Sequence, residues 1–180
     1  MPTTPSKSAS TPARKRAATK TTKSSPRQAD AVALLKEDHK KVAALFAEYE
    51  KARSVSVKRR LVESICSELT VHTAIEEEIF YPAVKAALKD KELVPEARVE
   101  HQSIKDLIAQ VRGHEPDGEL YDAKVKVMGE FVKHHVKEEQ NEMFPKARKT
   151  RLDLVELGRQ MAERKQELKA AQASNGAALH

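Results

Sequence analysis

Four long stretches of the chain place apolar side chains three or four positions apart, the spacing that lines one face of an α-helix. The first runs over about 30–53, with Val32, Leu35, Val42, Phe46 and Tyr49 on its stripe. Ser54-Val55-Ser56 separates it from the second, about 57–88, with Leu61, Ile65, Leu69, Ile79 and Ala83. The third, about 94–112, starts near Pro95, which a first turn tolerates, and carries Ala97, Ile104, Ile108 and Val111. A loop from Gly113 to Gly118 leads to the fourth, about 119–147, with Leu120, Met128, Phe131 and Met143. Four amphipathic helices with short connections predict an all-α, antiparallel up-down-up-down four-helix bundle. A weaker pattern over about 152–172 (Leu154, Leu157, Met161, Leu168) predicts a short C-terminal helix or a frayed extension.

The stripes also contain residues that do not belong in an apolar core. His39 lies in the first, His72 and Glu76 in the second, His101 in the third, His135 and Glu139 in the fourth. His72 and Glu76 are four apart and lead to Phe80-Tyr81-Pro82. His135 and Glu139 are four apart and lead to Met143-Phe144-Pro145. The pairs are 63 residues apart, while His39 precedes the first by 33 and His101 the second by 34. A half-site is therefore written twice. Residues i and i+4 share a helix face, so each pair reaches one point in the core. An unpaired buried carboxylate costs several kcal/mol or protonates, and a metal would neutralise both. Pro82 and Pro145 each remove a backbone hydrogen bond, which predicts a kink or helix end just beyond each motif.

The donor set selects the metal. Without a suitable set of thiolates, structural zinc and iron–sulfur clusters are disfavoured. Mixed imidazole and carboxylate suits iron or manganese, with zinc as an alternative. Four histidines and two bridging carboxylates fill about eight of roughly twelve positions around two octahedral irons. An oxo or hydroxo bridge fills about two more and leaves about two for a small ligand. His134 is read as a flank residue, because only His135 repeats the spacing of His72. Glu77, Glu78, Glu138 and Glu142 are read as solvated faces, with hydrogen bonds to ligand imidazoles as the alternative. Tyr49 and Tyr121 are read as packing residues.

Composition adds further points. Aromatic residues are 4% and glycines number 5, which favours helices over sheets. The lone cysteine, Cys66, excludes an intramolecular disulfide, reads as buried and inert, and fits a reducing, cytoplasmic setting. No apolar run suits a membrane span or a secretory signal. Charge is uneven. Residues 1–30 hold seven basic groups against Asp30, and the rest of the chain balances at 26 basic and 26 acidic. Residues 1–29 are thus expected to be a disordered basic tail, 30–148 the bundle, and 149–180 a C-terminal helix with a frayed end.

These motifs resemble the hemerythrin-like, or HHE cation-binding, family. The resemblance is carried by Asp38-His39, by the run His72-Thr-Ala-Ile-Glu76-Glu-Glu-Ile-Phe-Tyr-Pro82, by Glu100-His101, and by the run His135-Val-Lys-Glu-Glu139-Gln-Asn-Glu-Met-Phe-Pro145. It implies a non-haem di-iron centre that handles dioxygen or a related small molecule. Oxygen-carrying members have a second histidine four residues after the helix-three histidine, where this chain has Lys105. The final acid is also Glu at i+4 rather than Asp at i+5. Both departures favour sensing, buffering or redox chemistry over oxygen transport, with coordination left open or completed by water or an unexpected side chain. An enzyme acting on peroxide or nitric oxide is the alternative, although no general base outside the ligand set can be named. Non-specific nucleic-acid contact through residues 1–28 is a third class, since such basic segments bind polyanions.

Overall fold

The computed structural model describes residues 29–89, 91–116 and 118–177. The basic segment 1–28 lies outside them. Seven α-helical segments and two π-helical turns build four long helices and a fifth. Helix α1 is Ala31–Lys51. Helix α2, Val55–Ile75, passes through a π turn, Glu76–Phe80, into α3, Tyr81–Leu88. Helix α4 is Leu93–Val111. Helix α5, Glu119–Glu138, passes through a second π turn, Glu139–Met143, into α6, Phe144–Arg148. Helix α7, Leu154–Ala177, closes the order. The bundle runs up-down-up-down, with α1 packed chiefly on α2 and α4 on α5.

The helix expected over 152–172 extends over Leu154–Ala177 and lies along α1 and α2. Met161 is fully buried. The crossing requires a glycine, because a Cβ on Gly158 would stand 2.5 Å from the carbonyl oxygen of Ala29. Nearby, Asp30 caps α1 by accepting from the Ala33 N–H at 2.8 Å, and Arg148 grips the same carboxylate at 3.0 and 3.1 Å.

The prolines neither end nor break their helices. Each stands two residues beyond a π turn, and the helix continues to Leu88 or Arg148. The N–H of Tyr81 donates to the Glu76 carbonyl and that of Phe144 to the Glu139 carbonyl, five residues back. One extra residue per turn rotates everything beyond it. Tyr81, Val84 and Phe144 are consequently buried, while Ile79 and Ala83, expected on the stripe, are only half-buried. On α5, Leu120 and Phe131 also leave the expected stripe for solvent, and Tyr121 and Val132 are buried instead. The buried residues of α5, Tyr121, Val125, Met128, Val132 and His135, are spaced alternately four and three apart, the spacing of a bundle helix.

The apolar core divides in two. One cluster gathers Leu35, Ile75, Phe80, Val84, Phe144 and Met161 at the end where α3, α6 and α7 meet. The other gathers Val42, Ile65, Leu69, Ile104, Val125 and Met128 toward the opposite end. A buried polar layer lies between them.

Candidate metal centre

That layer contains His39, His72, Glu76, His101, His135 and Glu139, all six expected site residues. None is more than 6% exposed. Each of the four long helices supplies one histidine, and the two that carry π turns also supply the glutamates. Donor atoms of His39, His72, Glu76 and Glu139 lie within 4.8 Å of one another, as do those of Glu76, His101 and His135. Glu76 therefore belongs to both clusters, and Nε2 of His135 also stands 3.6 Å from Glu139.

The nitrogens meet head to head. Nε2 of His39 faces Nε2 of His72 at 3.1 Å, and Nε2 of His101 faces Nε2 of His135 at 3.1 Å. Their other nitrogens face polar groups behind them. Nδ1 of His101 reaches Glu77 at 2.9 Å, and Nδ1 of His135 reaches Glu100 at 2.7 Å. Nδ1 of His72 faces Asp38 at 3.7 Å, and Nδ1 of His39 lies 3.3 Å from the Gln140 amide. An acid on Nδ1 holds the proton there and turns a bare Nε2 lone pair inward. The outer groups repeat like the inner ones. Asp38 and Glu100 each precede a histidine, and Glu77 and Gln140 each follow a glutamate. Sequence reasoning quoted Asp38 and Glu100 within the family motif but assigned no role to them or to Gln140, although the outer groups share the 62- or 63-residue offset. Glu77, read first as a solvated face, is an imidazole partner and also binds Lys105 at 2.7 Å.

Tyr81 is the residue of the layer that periodicity missed. Its hydroxyl donates to Glu139 at 3.0 Å and lies 3.1 Å from Nε2 of His101, 3.4 Å from Nε2 of His135 and 3.5 Å from Glu76. Five residues past Glu76, it would point elsewhere on an α-helix, and the π turn brings it onto the same face. The repeat places Phe144 opposite, where it stacks on His39 at 5.9 Å. At this position the two halves differ by one hydroxyl.

The electrostatics show a layer short of positive charge. Glu76 is driven well above the usual carboxyl range by burial and by the neighbouring Glu139. Burial opposes the charge of Glu139 as well, but His39 and His135 hold it down, to about 2. His101 is pushed down to about 3 by burial and by His135, and His72 falls through burial. His135 rises, because contact with Glu100 and Glu139 outweighs its burial. Tyr81 keeps its proton, held by burial and by the charges of Glu76 and Glu139. One oxygen of Glu76 and one of Glu139 are buried with no hydrogen-bond partner. Converging lone pairs and orphaned carboxylate oxygens are what a cation would satisfy, so these residues fit a metal.

The Hemerythrin HHE cation binding domain matches residues 30–147. The chain belongs to this family. It carries the di-metal site motif of hemerythrin-like proteins. Its fold is similar to the crystal structure of a hemerythrin HHE cation binding domain-containing protein from Mycobacterium kansasii. That likeness has a TM-score of 0.68 and 26% identity, and covers 79% of this chain and 89% of the other. Over 111 residues the chain is also 26% identical to a DNA nickase from Nostoc sp. (strain PCC 7120 / SAG 25.82 / UTEX 2576). The match covers 62% of this chain and only 31% of that relative's length.

The remaining candidates stay apart from the centre. His134 is 63% exposed and pairs with Glu138 at 3.2 Å. Tyr49 donates to Asp122 and Tyr121 to the Val111 carbonyl, both in the far half of the bundle. Glu78 binds Arg164 and Glu142 binds Lys146. The Cys66 thiol is buried and pushed up to about 12 by that burial, so it is inert. Among the described residues, no helix is long and apolar enough to cross a membrane.

Proposed function

We propose that the chain is a non-haem di-iron protein that binds, senses or buffers dioxygen or a related small ligand. The observation that carries this reading is the head-to-head pairing of four buried imidazoles around two carboxylates. His39 and His72 would hold one iron and His101 and His135 the other, with Glu76 and Glu139 shared and Tyr81 completing the second half. Bound iron would supply one-electron redox steps and open positions for a small ligand.

The protein's own contribution is shape, dryness and a fixed donor set. A cavity of about 10 Å³ lies against all four histidines and is walled by Val42, Leu69, Ile104 and Val132. It is the size of roughly one water, so it suits only the smallest ligands, such as dioxygen, peroxide or nitric oxide. A groove of about 810 Å³ between α1 and α5 ends at His39, Val132 and Val136, which also line the small cavity. That shared wall is a place where the groove comes close to the layer, and we assign ligand entry to it. The Tyr81 hydroxyl lies inside the layer and holds a proton beside Glu139.

Metal analysis tests the reading. Iron-reconstituted protein should carry about two irons per chain. One zinc and no iron after iron-replete expression would overturn it. Nucleic-acid contact through residues 1–28 is a second reading, favoured by their seven basic groups and by a relative named as a DNA nickase. Deleting residues 1–28 should then abolish a salt-sensitive DNA affinity and leave iron content unchanged.

A further inference from the structure

The family match ends at residue 147, yet α7 reaches back to the metal layer. Lys165 on α7 donates to Oδ1 of Asp38. The other oxygen, Oδ2, faces Nδ1 of His72 at 3.7 Å. Both of these atoms are buried, and neither has a hydrogen-bond partner. Each is therefore left to the other. The equivalent acid in the second half, Glu100, sits closer to its imidazole, at 2.7 Å from Nδ1 of His135. Behind it stands the exposed His134 at 3.4 Å, where the first half has a lysine. An ammonium thus backs Asp38 but not Glu100; in the second half the lysine-backed carboxylate is Glu77, which Lys105 meets at 2.7 Å.

We propose that Lys165 is a positioning residue for the iron site formed by His39 and His72, a role that rests on the di-iron reading above. By occupying Oδ1 it pins the Asp38 carboxylate so that Oδ2 stays on Nδ1 of His72. That contact keeps the Nδ1 proton in place and directs Nε2 toward His39 and Glu76, which it meets at 3.1 and 3.2 Å. Without the ammonium, Asp38 loses the contact that holds its Oδ1, and with it the hold of Oδ2 on the His72 imidazole. Partners of this kind change metal affinity by about 10- to 100-fold. The effect should fall on one iron alone, because no side chain of α7 has a hydrogen bond or ion pair with Glu77 or Glu100 among the described residues.

The test is an anaerobic ferrous-ion titration of the full chain by equilibrium dialysis with metal analysis. Lys165→Met should weaken one of the two iron equivalents by about 10- to 100-fold and leave the other unchanged. Asp38→Asn should reproduce that loss without touching α7, so the proposal survives any folding defect in the lysine variant. Lys165→Arg should recover most of the affinity. Lys169→Met removes another ion pair of α7, the one to Glu68, and should behave as the unaltered protein. Two irons at unaltered affinity in Lys165→Met would overturn the proposal. Equal weakening of both irons, or the same loss in Lys169→Met, would also overturn it, by showing that α7 acts only through general packing. Fewer than two irons in the unaltered protein would instead defeat the di-iron reading, and this proposal with it.

Discussion

Tyr81→Phe removes one oxygen and keeps the ring in place. The lost hydroxyl donates at 3.0 Å to Glu139, a buried carboxylate held in its charged form. It is also within 3.5 Å of Glu76, His101 and His135, so four polar groups lose a neighbour. A hydrogen bond to a charged group contributes about 1.5–3 kcal/mol, and a buried acceptor left without its donor loses the full amount. For a chain of this size that range corresponds to a fall of about 3–12 °C in melting temperature. The assay is thermal unfolding of chelator-stripped protein followed by circular dichroism, with Phe144→Tyr as the related change in the other half. The iron-loaded variant should also lose any phenolate-to-iron absorption seen in the unaltered protein. A stripped Tyr81→Phe variant that melts within a degree of the unaltered protein, with an unchanged iron spectrum, would refute the reasoning.

The other predictions concern charge, support and packing. Glu76 has a raised value in the fold, so the stability that it contributes is complete below its unfolded value near 4.5 and is lost as pH rises through the folded value. Stripped Glu76→Gln should therefore gain on the unaltered protein as pH is raised from about 5 to 8, read by urea unfolding, and parallel pH curves would count against a buried protonated Glu76. Glu77→Gln and Glu100→Gln should each lower iron affinity by about 10- to 100-fold in the dialysis assay, whereas Glu142→Gln should not. Gly158→Ala forces a Cβ against the Ala29 backbone and should destabilise the fold by about 1–3 kcal/mol in urea unfolding.

Hydrophobic periodicity and one repeated spacing were enough to specify the four long helices and the six residues of the polar layer. This follows from geometry: on an α-helix, residues four apart share a face, so a histidine and a glutamate on an apolar stripe must both enter the core. What that spacing could not reveal was decided beyond the single helix. The two π turns changed the register after Glu76 and Glu139, and only this shift brought Tyr81 into the layer and Phe144 onto His39. The partners of the imidazoles cross between helices, from Asp38 to His72, Glu100 to His135 and Glu77 to His101. Periodicity within a helix carries no record of such contacts, although the offset shared by Asp38 and Glu100 does. The weak C-terminal pattern fixed neither the length of α7 nor its place. Its docking depends on Gly158 passing the start of α1, on Met161 entering the core, and on Lys165 meeting Asp38 more than a hundred residues earlier, contacts that exist only once the bundle has closed.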